Sequence, residues 1–217
     1  MAKRIPPSIQ NMQKFDVNRA DQKEAIFEPL YDFQTYDAAG QTSLTFFQNP
    51  IGQNGKTLDD TNMEAAGNIP TPRSFLIEAI EVLFFSGANV VEGDADFANA
   101  GKGHLSDLYA FIKSGHLKLD VGSKNYLKAA PLGQFPPGER LAGMIAMSDS
   151  STPGATQFSK GEYGAMAGKQ FAITPIRLIS NQNFSVTMNW GTAVAMPSGL
   201  DARIGVRLCG YNYRLSQ

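Results

Sequence analysis

The most regular pattern in the chain lies near its C-terminal end. Phe184, Val186, Met188 and Trp190 alternate with Asn183, Ser185, Thr187 and Asn189. Ile204, Val206 and Leu208 alternate with Arg203, Gly205, Arg207 and Cys209, and Tyr211 and Tyr213 continue that second face. A period of two puts each apolar set on one side of a pleated strand. Two such runs, each with one polar or mixed face, predict antiparallel strands over a single core. The stretch between them, residues 191–201 with Met196-Pro197-Ser198-Gly199, is too long for a tight hairpin and is expected to project as a loop.

Other segments add to this picture. Residues 73–86 form the densest apolar run and are apolar on both alternate faces, as in a strand covered on both sides. A helix competes there because Glu78 and Glu81 stand three apart, but Phe and β-branched residues in the C-terminal half favour a strand. Residues 44–47 read as a short strand stopped by Asn49-Pro50. Leu105, Leu108, Tyr109 and Ile112 follow helical spacing, with Gly115 as the expected C′ residue. Directly behind it, Leu117, Leu119 and Val121 alternate with His116, Lys118 and Asp120, a strand fed by the helix. Residues 87–103 and 148–154 read as loops, and Pro131, Pro136 and Pro137 interrupt the chain between them. Residues 1–25 show no sustained apolar period, and Pro6 and Pro7 disfavour helix, so this stretch reads as an extended N-terminal arm. Residues 26–217 then make a single β-sandwich domain.

Composition narrows the function classes. The 217 residues are 42% hydrophobic, enough for a folded core, and only 18% charged, with 21 Gly and 12 Pro. Few charges and many turn formers suit short strands, long loops and a surface partly covered by neighbours. One cysteine, Cys209, allows no intrachain disulfide. Neither a signal peptide nor an apolar run of membrane-spanning length is expected. Charge is segregated: the net value is +2 over residues 1–24, −9 over 25–101 and +6 over 102–217. A chain acidic in its middle and basic towards its end attracts copies of itself.

Few residues stand in a pattern that carries chemistry. His104 and His116 are the only histidines, and two imidazoles twelve residues apart do not make a cupin-type metal cluster. Cys209 sits at an alternating strand position, where a structural thiol is expected rather than a nucleophile. Glu92, Asp94 and Asp96 form an acidic loop that suggests calcium, but Asn99 stands where an EF-hand needs Gly. Asp59-Asp60 are turn carboxylates. Neither phosphate loop spacing nor a nucleic-acid module is present. The expectation is a protein that is not an enzyme and uses no cofactor.

The Pro-containing arm Ile5-Pro6-Pro7, the long loops between short strands, the single helix between strands and the closing runs 181–190 and 202–213 resemble jelly-roll capsid proteins of icosahedral viruses, more loosely the structural proteins of bacteriophage virions. The resemblance implies an antiparallel jelly-roll sandwich with one or two short helices. It also implies self-assembly into a shell through sandwich edges and loops, with the arm residues Lys3, Arg4, Pro6, Pro7, Lys14, Arg19 and Lys23 tying subunits together. Partners would be copies of the chain and other virion proteins, with weak contact to genome or an internal membrane, in a virion assembled in the host cytoplasm. A decoration or attachment protein, or a carbohydrate-binding sandwich, is the alternative.

Overall fold

A computed structural model describes residues 23–87, 104–138, 141–148, 156–163 and 171–215. The protein is mainly β. Its elements are β1 (Lys23–Phe27), β2 (Leu30–Tyr36), β3 (Ser43–Phe46), β4 (Ser74–Phe85), α1 (His104–Ser114), β5 (Gly115–Val121), β6 (Lys124–Pro131), β7 (Leu141–Ser148), β8 (Thr156–Tyr163), β9 (Ala172–Leu178), β10 (Phe184–Trp190) and β11 (Ala202–Leu215). All strand pairs are antiparallel.

The first sheet is built on β11. One of its edges carries β1 and β2 end to end in unbroken register: Phe27 faces Tyr211, and Leu30, three residues on, faces Leu208. Pro29, which has no N–H to give, falls at the gap between them. The other edge of β11 pairs with β4, which in turn pairs with β9. Opposite Cys209/Gly210, β4 carries one extra residue, Glu78, a β-bulge. Any Cβ at Gly210 would overlap the Leu76 carbonyl oxygen, so the close approach of the two backbones requires glycine there.

The second sheet runs β3-β10-β5-β6, and β7 and β8 form a separate hairpin. Across the two main sheets the pairing is nested: β2 with β11, β3 with β10, β4 with β9, and β5 with β6. Alternate residues of both sheets meet in one core. Ile77, Ile80, Val82, Phe84, Ile204, Val206 and Leu208 come from the first sheet, and Phe46, Leu117, Leu119, Val121, Phe184, Val186, Met188 and Trp190 from the second. This gives a sandwich-like arrangement of two layers.

An aromatic cluster closes one end of the core. Phe111 of α1 packs on Phe84, Trp190 and Tyr36 at centroid distances of 5.1, 5.4 and 5.8 Å. The Trp190 indole N–H donates to the Phe111 carbonyl (3.1 Å) and the Tyr36 hydroxyl to that of Val194 (2.8 Å), so both polar tips are satisfied inside.

Several expectations need correction. The buried face of α1 is set by Leu108 and Phe111, while Tyr109 is 63% exposed. Ile112 of the expected stripe packs against the core, and the aromatic cluster adds Phe111 to that face. Gly115 does not adopt a left-handed C′ conformation. It begins β5, and a side chain there would overlap Leu132 and crowd Trp190, so packing explains the glycine. Residues 191–201 form an exposed loop, as expected, but it is tethered. Met196 is buried and its N–H donates to the Ala38 carbonyl (2.8 Å), while the Ala38 N–H donates to Asp201 Oδ1 (2.8 Å).

Candidate interaction surface

The face of the first sheet that points away from the core carries a group of rings and charges. Phe33 on β2 is opposite Gly205 on β11, and Phe85 on β4 is opposite Arg203. Because Gly205 has no side chain, the Phe33 ring lies across it; a Cβ would overlap the ring. In that position Phe33 comes within 6.1 Å of Phe85 and 6.2 Å of Tyr31, measured between ring centroids. The Arg203 guanidinium sits over the Phe33 ring, 4.0 Å from its centroid. Such a cation–π contact contributes about 0.5–1 kcal/mol at an exposed position. From Nη2, Arg203 also donates to the Asp59 carbonyl and to Asp60 Oδ1 (3.2 Å). The backbone N–H of Thr57, and then Arg203, hold the Asp60 carboxyl below its ordinary range.

The loop that brings Asp59 and Asp60 here is fastened by a buried ion pair. Lys56 Nζ lies 3.0 Å from Asp32 Oδ1, and the Asp32 side chain is wholly buried. Lys56 also donates to the Phe33 carbonyl. Asp32 Oδ2 accepts the Phe47 N–H (2.7 Å) and a weaker bond from Gln34 (3.3 Å). Burial pushes the Asp32 carboxyl up, and these partners offset the effect only in part.

The same loop covers the outer edge of β2. The Phe33 N–H donates to the Asp60 carbonyl (2.8 Å) and the Thr61 hydroxyl to the Tyr31 carbonyl (3.0 Å). The Asn62 amide accepts from Tyr31 N–H (3.0 Å) and donates to the Pro29 carbonyl (2.8 Å), mimicking a neighbouring strand. The edge is thereby protected from unplanned pairing.

Between the loop and the end of β4 lies a groove of about 580 Å³, lined among others by Phe33, Lys56, Asp60, Phe85, Asp201 and Arg203. Phe85 and Leu200 are each 47% exposed, and Leu58 on the adjoining loop is 65% exposed. The far wall is stiffened by buried Asp107 of α1, which accepts the Ser198 N–H (2.8 Å) and the Ser86 hydroxyl. Further along the same face, buried Glu81 pairs with Arg207 (3.1 Å) and accepts the Gly138 N–H (2.9 Å). Aromatic rings and an arginine in one concave place are side chains in which protein interfaces are enriched.

The residues singled out from the sequence fall in different places. Phe184, Val186, Met188, Trp190, Ile204, Val206 and Leu208 are at most 3% exposed. Lys23 begins β1, where it pairs with Leu215. Lys3, Arg4, Pro6, Pro7, Lys14, Arg19 and the acidic loop Glu92, Asp94 and Asp96 lie outside the described residues. His116 stands half-buried on β5 between Asn189 and Pro131, His104 begins α1, and Cys209 is buried on β11. Among the described residues no group of three or more His, Cys, Asp or Glu could hold a metal ion. Sequence reasoning did not find the groove. Asp60 and Arg203 are 143 residues apart, and the one local signal was Gly205 inside a strand pattern, a mark of close approach. In comparisons with known proteins, no family model, curated protein or solved structure matches the chain.

Proposed function

We propose that this chain is a jelly-roll capsid protein that assembles with copies of itself into the icosahedral shell of a virus, in the manner of a bacteriophage virion protein. The observation that carries this reading is the nested strand pairing. Strands β2 to β5 run out and β6, β9, β10 and β11 run back, first paired with last and second with next-to-last. A single antiparallel ribbon of that kind, rolled up, gives two four-stranded sheets whose members come alternately from its two arms. The orders β2-β11-β4-β9 and β3-β10-β5-β6 fit such a rolled ribbon and support the jelly-roll reading. On this reading β1 extends β2, while α1 and the β7–β8 hairpin are insertions at the ribbon's bends.

Fold alone does not assign function, so the shell rests on the surface as well. Large apolar side chains stand exposed at both ends of the first sheet: Phe27 (61%) beside Tyr211 at one end, Phe85, Leu58 and Leu200 at the other. Exposed apolar groups combined with Tyr, Phe and Arg favour protein partners. The partners are copies of the chain and other virion proteins. A second reading, an attachment or carbohydrate-binding sandwich, draws on the half-exposed Phe85 ring in a polar groove, and predicts glycan binding without assembly.

Size-exclusion chromatography with multi-angle light scattering across ionic strengths tests the proposal. Capsomers or larger particles are expected. A monomer under every condition, binding a glycan array, would replace it with the second reading.

A further inference from the structure

We infer that Asn54-Gly55, at the tip of the loop that covers the edge of β2, is a site of spontaneous covalent rearrangement, where loss of ammonia converts Asn54 to aspartate or isoaspartate and adds a negative charge to the groove. The inference stands on the loop's own chemistry and does not depend on what the groove binds. Asn54-Gly55 is the only Asn-Gly pair in the chain. Asparagine is among the thermally labile residues, and a following glycine has no Cβ to shield its backbone nitrogen. That nitrogen is the nucleophile. Gly55 N attacks the side-chain carbonyl carbon of Asn54 and closes a succinimide ring. The Cγ–Nδ2 bond breaks, and Nδ2 leaves as ammonia with the proton of the Gly55 N–H. Water then adds to one or other ring carbonyl. Opening gives an aspartate, or an isoaspartate whose main chain runs through the side chain, and a proton is released as the carboxylate forms.

The loop leaves the reacting atoms accessible. Asn54 (φ 49°) and Gly55 (φ 74°) are both left-handed, as the central residues of a type I′ turn. The Lys56 N–H closes the turn on the Gln53 carbonyl (3.0 Å), and the Gly52 N–H donates to the Lys56 carbonyl (2.9 Å). The Gly55 N–H takes part in neither bond, so the turn does not occupy the nucleophile. Residues 51–55 are exposed, and nothing lies within 4 Å of the place a Cβ would take on Gly55. The backbone there has room to rotate and bring Gly55 N onto Cγ, and water can follow. One bond restrains the side chain: the Asn54 amide donates to Asn49 Oδ1 (2.9 Å) at an exposed position. A single bond open to water is a weak brake.

Both products act on the groove. Asn54, Gly55 and Lys56 line it, and its charged lining is balanced, with Lys56 and Arg203 against Asp60 and Asp201. A carboxylate at position 54 makes that lining net negative. Isoaspartate does more, because it lengthens the main chain ahead of Gly55 and the turn can no longer close as it does. The last residue of that turn is Lys56, whose Nζ holds the buried Asp32. The stretch beyond it supplies the bonds that the Tyr31 and Phe33 N–H groups make outward from the edge of β2. The aspartate product therefore changes the charge of the groove, whereas the isoaspartate product also loosens the loop.

Ageing the folded protein in mildly alkaline buffer tests this, with peptide mapping by mass spectrometry and labelling by an isoaspartyl methyltransferase. Conversion at Asn54, seen as a gain of one mass unit and as isoaspartate label in the same peptide, is expected to outrun that at every other asparagine. Asn49→Ala, which frees the Asn54 amide, should speed it, and Gly55→Ala should nearly stop it. The isoaspartate form, separated by anion exchange, should exchange its Tyr31 and Phe33 amide hydrogens about tenfold faster or more than the native chain. Freshly prepared Asn54→Asp adds only the charge and should exchange near the native rate. Conversion at Asn54 no faster than at the other asparagines overturns the inference, as does conversion that appears only when the chain is unfolded in urea. Native exchange rates in the isoaspartate form overturn the loosening of the loop.

Discussion

Replacing Lys56 by Met probes the point on which the groove depends. Asp32 is wholly buried, and the variant leaves its carboxylate with N–H bonds from Phe47 and Gln34 but no cation at 3.0 Å. Breaking a buried pair from one side costs about 3–5 kcal/mol because the remaining charge stays desolvated. Asp32 has an escape in protonation. Its folded-state pKa is already raised by burial, so protonation favours folding. That contribution is complete below the unfolded value near 3.8 and is lost as pH rises through the raised folded value. Removing the ammonium raises the folded value further. The deficit of Lys56→Met relative to the native chain should therefore be small near pH 4 and grow to its full size by about pH 8. Adding Asp32→Asn should restore most of the loss at pH 8, since an amide oxygen still accepts the Phe47 N–H and no charge remains. Urea unfolding of dilute protein, followed by the fluorescence of the single, buried Trp190, measures all three chains. A deficit under about 0.5 kcal/mol at pH 8, or one equally large at pH 4, would refute the reasoning.

Three further outcomes follow from the packing. Phe111→Ala removes the ring shared by Phe84, Trp190 and Tyr36; it should cost about 3–5 kcal/mol and shift Trp190 emission to the red. Gly210→Ala sets a methyl against the Leu76 backbone, while Gly205→Ala meets only the Phe33 ring, which can move aside; thermal unfolding should show the larger drop for Gly210→Ala. Arg203→Ala should change monomer stability by no more than about 1 kcal/mol, because its ion pair is partly open to solvent, yet reduce particle yield on the sizing column.

Two of the strands legible in the sequence were those with one wet face. Residues 184–190 and 116–121 keep small or charged residues outward and apolar ones inward, and both lie in the second sheet, whose outer face is polar. Strand β4 was legible for the opposite reason, being covered on both faces except at its end. Strand β2 was hidden because its inward positions include buried Asp32, which reads as a surface residue until Lys56 and the Phe47 N–H are known. Strands β6 and β9 were hidden because they are sheet edges: β6 is mostly exposed and ends in Pro131, and β9 contains Pro175. The groove needs β2, β4 and β11 side by side together with a loop fastened by an ion pair, so no local stretch of sequence announces it.

Negative-stain electron microscopy of the purified protein, taken through conditions that promote assembly, tests the central claim most directly. The account predicts closed, hollow particles of uniform diameter that are lost when Phe85 and Arg203 are both replaced by Ala. A field of single 23.5 kDa molecules under all conditions, with light scattering in agreement, would contradict it.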